Sequence, residues 1–145
     1  MRAKGANGVG RFSVEFEVAN YGDIIRAMDG TLKPEQVRRR MVSGLVDPGA
    51  TKLVLPQAVV KALGLPVRNK IIVHHADGRR AQRHEVQDAY VELLGRNDTF
   101  SAIVEPKRDT ALIGAMVLES LDLLVDCSRQ RLVPRDPSGP VYEIE

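Results

Sequence analysis

The chain is poor in the residues that would place it outside a reducing, aqueous compartment. Cys127 is its only cysteine, which excludes an intrachain disulfide framework and points to reducing surroundings. No apolar run approaches the length of a membrane span, and the opening MRAKGANGVGRF carries charge without the apolar core of a secretion signal. A cytoplasmic protein with no membrane partner is expected. Without a secretory route, Asn97-Asp98-Thr99 is read as a turn although it fits the glycosylation pattern. An excess of one charge is missing too: 21 basic against 19 acidic residues leave a net +2, which argues against a dedicated nucleic-acid binder.

Metal-ligand spacing is also lacking. His74 and His75 are adjacent in a strand-like run, where neighbouring side chains point to opposite faces, and His84-Glu85 has no second histidine to complete a zinc-protease helix. No metal and no cofactor are expected. Arg38-Arg39-Arg40 and Arg79-Arg80 read as solvated faces, and Cys127 as a bystander thiol.

What is present is an ordinary globular composition, 43% hydrophobic and 28% charged over 145 residues, enough to bury one core. The segment 1–11 is glycine-rich and polar, and is expected to be flexible. Its GANGVG precedes a strand instead of following one, so it is not a dinucleotide fingerprint. Strict alternation marks 12–18 as a half-buried strand. Ile24, Ile25 and Met28 suggest a helical turn or packed loop. Strands are expected at 37–46, 51–55, 67–75, 79–94 and 100–104, with Asp77-Gly78 as a hairpin turn. Proline at the start and glycine at the end punctuate a short helix over 56–64, and 116–121 has helical spacing with its aliphatics facing a core. Short strands follow at 123–126 and 131–134. The tail 135–145 is rich in Pro and Gly, with 141–144 a candidate edge strand. Many short strands with one or two small helices predict a mostly-β fold, a closed barrel or a sandwich.

Within it, Leu45-Val46-Asp47-Pro48-Gly49-Ala50 sets a carboxylate beside the strong turn signal Pro-Gly. A surface turn would account for it alone. However, Ala111-Leu112-Ile113-Gly114 repeats the pattern of two aliphatics leading to a glycine, and both segments run on towards a short helix. The chain reads as a degenerate duplication in which only the first copy carries the acid.

Leu45-Val46-Asp47-x-Gly49-Ala50-Thr51, then Val54-Leu55-Pro56, a helix ending Ala62-Leu63-Gly64-Leu65, Ala76-Asp77-Gly78, Leu112-Ile113-Gly114, Leu118 to Leu123, Asp126 and Arg131-Leu132-Val133-Pro134 together resemble a retropepsin-like (clan AA) aspartic protease. The match is to the small bacterial type with an Asp-Thr-Gly-Ala loop, and it covers 12–134. The resemblance implies a closed mostly-β barrel, a homodimer, and Asp47 as the catalytic residue contributed by each subunit. It makes Pro48, Gly49 and Ala50 the active-site loop, with the Gly49 N–H offered to the Asp47 carboxylate. Leu112, Ile113 and Gly114 become the second glycine loop, and Ala76, Asp77 and Gly78 the flap that closes over a peptide or protein substrate. Carboxylate chemistry asks for the same pairing, because one ionised group must take a proton from water while one protonated group polarises the carbonyl. One motif per chain places that pair on a two-fold axis.

The family has Thr or Ser where Pro48 stands. Proline offers neither hydroxyl nor N–H. Losing cross-subunit hydrogen bonds of about 1 kcal/mol each would loosen the paired loops. The alternative to an active endopeptidase is therefore a weak or inactive dimer of the same fold serving as a peptide-binding or assembly module.

Overall fold

The computed structural model describes residues 11–145; of the expected flexible segment 1–11, all but Arg11 lies outside the described residues. Strand β1 (Phe12–Asn20) alternates as expected, burying Phe12, Phe16 and Val18. Helix α1 (Tyr21–Met28) follows, capped by the Asn20 side chain, which accepts the Asp23 N–H at 3.0 Å. A 3-10 turn (Pro34–Gln36) leads into β2 (Arg39–Val46). Next come β3 (Leu53–Pro56), helix α2 (Gln57–Leu63), β4 (Val67–His74), β5 (Arg80–Leu93) and β6 (Arg96–Glu105). The chain ends with β7 (Ala111–Ile113), helix α3 (Ala115–Leu121), β8 (Leu123–Asp126) and β9 (Arg131–Pro134).

Six strands close a barrel in the order β1-β2-β7-β3-β6-β5, with β5 returning to β1 through Glu17↔Glu92 to Asn20↔Ala89. Strand β4 hangs on the outer edge of β5, and β8 and β9 form a separate antiparallel pair. A bulge makes this division possible. The register of β5 against β6 shifts between Val86 and Ala89, where Asp88 takes φ 66°. The strand bends there, so its later half closes the barrel and its earlier half projects with β4 as a hairpin.

Several expectations are corrected. Asn97-Asp98-Thr99 lies in β6, and the turn is Leu94-Gly95, both at positive φ as a two-residue hairpin requires. The candidate edge strand at 141–144 does not form. Instead the Val141 N–H donates to Asp122 at 2.9 Å and the Tyr142 hydroxyl reaches the Ser120 carbonyl, folding the tail over the end of α3. Three α-helices form, because Ile24 to Met28 belong to α1. Arg38 is no free surface cation. Its backbone N–H, Nε and Nη2 all donate to Asp23, at 3.0, 2.8 and 3.0 Å, and Arg26 adds a fourth contact at 2.7 Å. Asp23 is 1% exposed. Above this knot the Asn20 amide donates to the Leu63 carbonyl at 2.8 Å, tying α1 to the end of α2.

The two glycine loops meet at the barrel's end. Strands β2 and β7 run parallel with Leu45 opposite Leu112 and Val46 opposite Ile113, so the duplicated segments lie side by side in register. The Asp47 N–H donates to the Ile113 carbonyl at 3.0 Å, and the Ala115 and Met116 N–H groups reach Ala50 and Thr51 at 2.8 and 2.9 Å. Gly114 lies so close beneath that a Cβ there would fall 2.6 Å from the Lys52 oxygen and 2.7 Å from that of Ala50.

Two stability outcomes follow. Gly114→Ala forces backbone apart and should cost at least about 1–3 kcal/mol in urea unfolding. Asp23→Asn removes one partner of a buried ion pair and should cost about 3–5 kcal/mol at neutral pH. The Arg38 guanidinium holds the Asp23 carboxyl far below the usual carboxylate range. Its stabilisation is therefore present above the unfolded value and lost as pH falls below about 4, so the stability of Asp23→Asn should depend less steeply on acid than that of the parent chain.

Candidate active site

Asp47 follows directly on β2, with its backbone fixed by the Ile113 carbonyl. It opens a tight turn in which the Ala50 N–H returns to the Asp47 carbonyl at 3.0 Å. Pro48 occupies the second turn position, where its fixed φ suits the geometry and its missing N–H leaves no bond unmade within the chain. The Asp47 carboxylate also accepts the Gly49 N–H, at 3.1 Å to Oδ1, an Asx arrangement that reinforces the turn. A Cβ on Gly49 would sit 3.2 Å from the same oxygen. Turn and carboxylate presentation are thus one structure: the Pro-Gly signal shapes the loop that displays the acid.

The other carboxylate oxygen is occupied. Arg11 Nη2 donates to Asp47 Oδ2 at 2.7 Å, from a half-exposed side chain onto one only 12% exposed. This partner was assigned to the N-terminal segment from sequence. The register explains it: Phe12 pairs with Val46, so one further step along the two antiparallel strands sets Arg11 opposite Asp47. Extending the alternation of 12–18 back by one residue against the end of β2 would have found it.

A cavity of about 890 Å³ opens beside the loop. Its floor includes Gly49, Ala50, Thr51 and Leu112, and its far wall is the β4–β5 hairpin from Ile71 to His75. The hairpin expected to serve as the flap thus borders the same cavity as the loop. Its tip residues Ala76, Asp77 and Gly78 lie beyond the lining and complete the turn, with Gly78 at φ 88° donating to the His75 carbonyl at 2.9 Å. Asp77 is held down by the Arg79 side chain at 2.7 Å, which lowers its pKa. The ring nitrogen His75 Nε2 is buried with no partner among the described residues, an atom that a bound ligand would satisfy.

On the cavity's lining is an ion pair, with Glu85 buried and Lys52 partly exposed, that sequence reasoning missed, having read Glu85 only beside His84. Lys52 Nζ donates to Glu85 Oε2 at 2.6 Å and to Ser101 at 3.0 Å, and the Asn69 amide reaches Glu85 Oε1 at 3.0 Å. Lys52, then Asn69, hold the Glu85 carboxyl below its ordinary range against the opposing effect of burial. With Asn69 and Ser101, the pair ties the residue before β3 to β4, β5 and β6 at the base of the hairpin. Of the second glycine loop, Leu112 faces the cavity while Ile113 and Gly114 are buried beneath Asp47. Among the described residues no three His, Cys, Asp or Glu side chains gather as a metal site.

Comparison with known proteins gives a family match and likenesses among solved structures. The family model described as "gag-polyprotein putative aspartyl protease" matches residues 35–120, more than half of the chain and inclusive of both glycine loops and the hairpin. No curated protein matches the sequence. Among solved structures, the protease of simian foamy virus (mac) is similar at 16% identity with a TM-score of 0.47, covering 74% of this chain and 91% of that one. On the family match, the chain belongs to the retropepsin-like aspartic proteases.

Proposed function

We propose that the chain is an aspartic endopeptidase that works as a homodimer, with Asp47 of each subunit forming the acid–base dyad. The observation that carries this is the asymmetry of the two registered loops. Asp47 stands at the end of β2 while its counterpart at the end of β7 is Gly114, so one chain supplies one carboxyl and the chemistry needs two.

In the dimer, two carboxyls about 3 Å apart cannot both ionise and share one proton. The ionised member takes a proton from water as the oxygen attacks the peptide carbonyl, and the protonated member donates towards the carbonyl oxygen. An extended peptide would lie in the cavity beneath the β4–β5 hairpin, adding its own main chain to exposed strand edges. Neither a metal nor another cofactor is needed for these steps.

Arg11 bears on this arrangement. Its guanidinium occupies Asp47 Oδ2, an oxygen that the dyad would need free to face the partner's carboxyl and the attacking water. Arg11 must withdraw from Oδ2 for the dyad to form. Pro48 favours the second reading, a dimer that binds peptides without cutting them, because it cannot supply the cross-subunit hydrogen bonds of a threonine.

Digestion of a diverse peptide mixture, followed by mass spectrometry from acidic to neutral pH, separates the two. Cleavage should be abolished by Asp47→Asn and raised by Pro48→Thr, and sedimentation should show a dimer at the concentrations where cleavage appears. A strictly monomeric chain would overturn the dyad outright, and a dimer that cuts nothing even with threonine restored would leave the binding module. For an active chain, Arg11→Gln should raise turnover several-fold by freeing Asp47; a fall would mean that Arg11 supports the loop instead of masking it.

A further inference from the structure

The charges around the cavity do not cancel. Lys52 is matched by Glu85, and Arg83 by Glu105 at 3.0 Å, which commits both carboxylates on the lining. Arg79 is matched by Asp77 at 2.7 Å. Lys107 and Arg108 remain, both on the lining and both without an ion pair among the described residues. The segment that carries them joins β6 to β7 and so leads directly into the second glycine loop.

Arg108 differs from Lys107 in being held. Its Nε donates to the Thr110 carbonyl at 2.9 Å and its Nη2 to the Thr110 hydroxyl at 3.0 Å. Both acceptors are neutral, so the guanidinium is fixed in place while its charge stays uncompensated. Nη1 makes no hydrogen bond among the described residues, and the adjacent Asp109 forms no ion pair with it. A planar fork already ordered by neutral partners loses little entropy on meeting a carboxylate. Lys107 is exposed on a flexible stem and adds attraction without geometry.

We propose that Arg108 is a specificity-determining residue that selects peptides bearing a glutamate or aspartate side chain near the scissile bond. This rests on the protease reading of the same cleft. The carboxylate would meet Arg108 at the rim, with the cavity's net positive charge drawing acidic segments in and repelling basic ones. Neither composition nor net charge reveals such a preference, because the matched pairs cancel and only the unmatched Lys107 and Arg108 act.

The test compares peptide substrates that differ by a single Glu/Gln or Asp/Asn exchange at each position flanking the cut. The parent chain should favour the acidic member at one fixed position by about tenfold or more in kcat/KM, in keeping with a charge-assisted hydrogen bond. Arg108→Gln should bring that ratio close to one. Arg108→Lys, which keeps the charge but not the fork, should give an intermediate value, and Lys107→Gln should lower the ratio less than Arg108→Gln does. Equal cleavage of both members by the parent chain overturns the proposal, as does a ratio that survives Arg108→Gln in a variant shown to be folded by thermal unfolding. Binding of the same peptide pairs to Asp47→Asn, followed by fluorescence anisotropy, decides the matter without turnover. Acidic preference there with no cleavage by the parent refutes the protease and keeps the selective cleft; cleavage without preference does the reverse.

Discussion

The close approach of two loops at one end of the barrel is the constraint on which the site depends. Gly114 lets the backbone of α3's first turn lie against Ala50, Thr51 and Lys52, and three main-chain hydrogen bonds seal the contact. Any side chain there would push the Asp47 loop outward. Because the bonds are made by backbone on strands already in register, Asp47 is located by the barrel itself and not by its own side-chain contacts. A site positioned this way tolerates an unusual loop residue, and Pro48 sits where the turn accepts it.

Charge is used sparingly but at decisive places. Asp23 binds α1 to the entry of β2, Glu85 and Lys52 brace the base of the hairpin, and Arg96, itself buried, satisfies the carbonyls of Leu121 and Asp122 at the end of α3. Each cation here has several acceptors or a buried partner, the condition under which a desolvated charge is sustained. Arg11 and Arg108 stand apart. Both are held in a defined place, one on the candidate catalytic carboxylate and the other on neutral oxygens beside the cleft. On the proposed reading of a dimeric protease, the masked acid would bear on when it cuts and the uncompensated arginine on what it cuts.

Much of the fold was legible beforehand. Alternation located β1, and Pro56 with Gly64 bounded α2, since period and punctuation are local properties. The helix α1 was less clear because its cap, Asn20, is also the last residue of a strand. Tail residues 141–144 have the composition of a strand, yet Asp122 and Ser120 take their backbone and side chains instead, a competition that no local pattern reveals. Asn97-Asp98-Thr99 looked like a turn because the true turn, Leu94-Gly95, places a leucine at positive φ, which residue preference disfavours.

By itself the sequence determined the mostly-β class, the two glycine loops, the single acid between them and membership of a family built on that pattern, because each is written in contiguous residues. Tertiary structure alone decided what surrounds the acid. Arg11 reaches Asp47 across an antiparallel register, Lys52 just before β3 finds Glu85 on β5 with β6 between them, and Arg108, with Lys107, is left over only after the other Lys and Arg charges on the lining have been matched. Those relations are set by strand pairing between distant segments, and distance along the chain carries no trace of them.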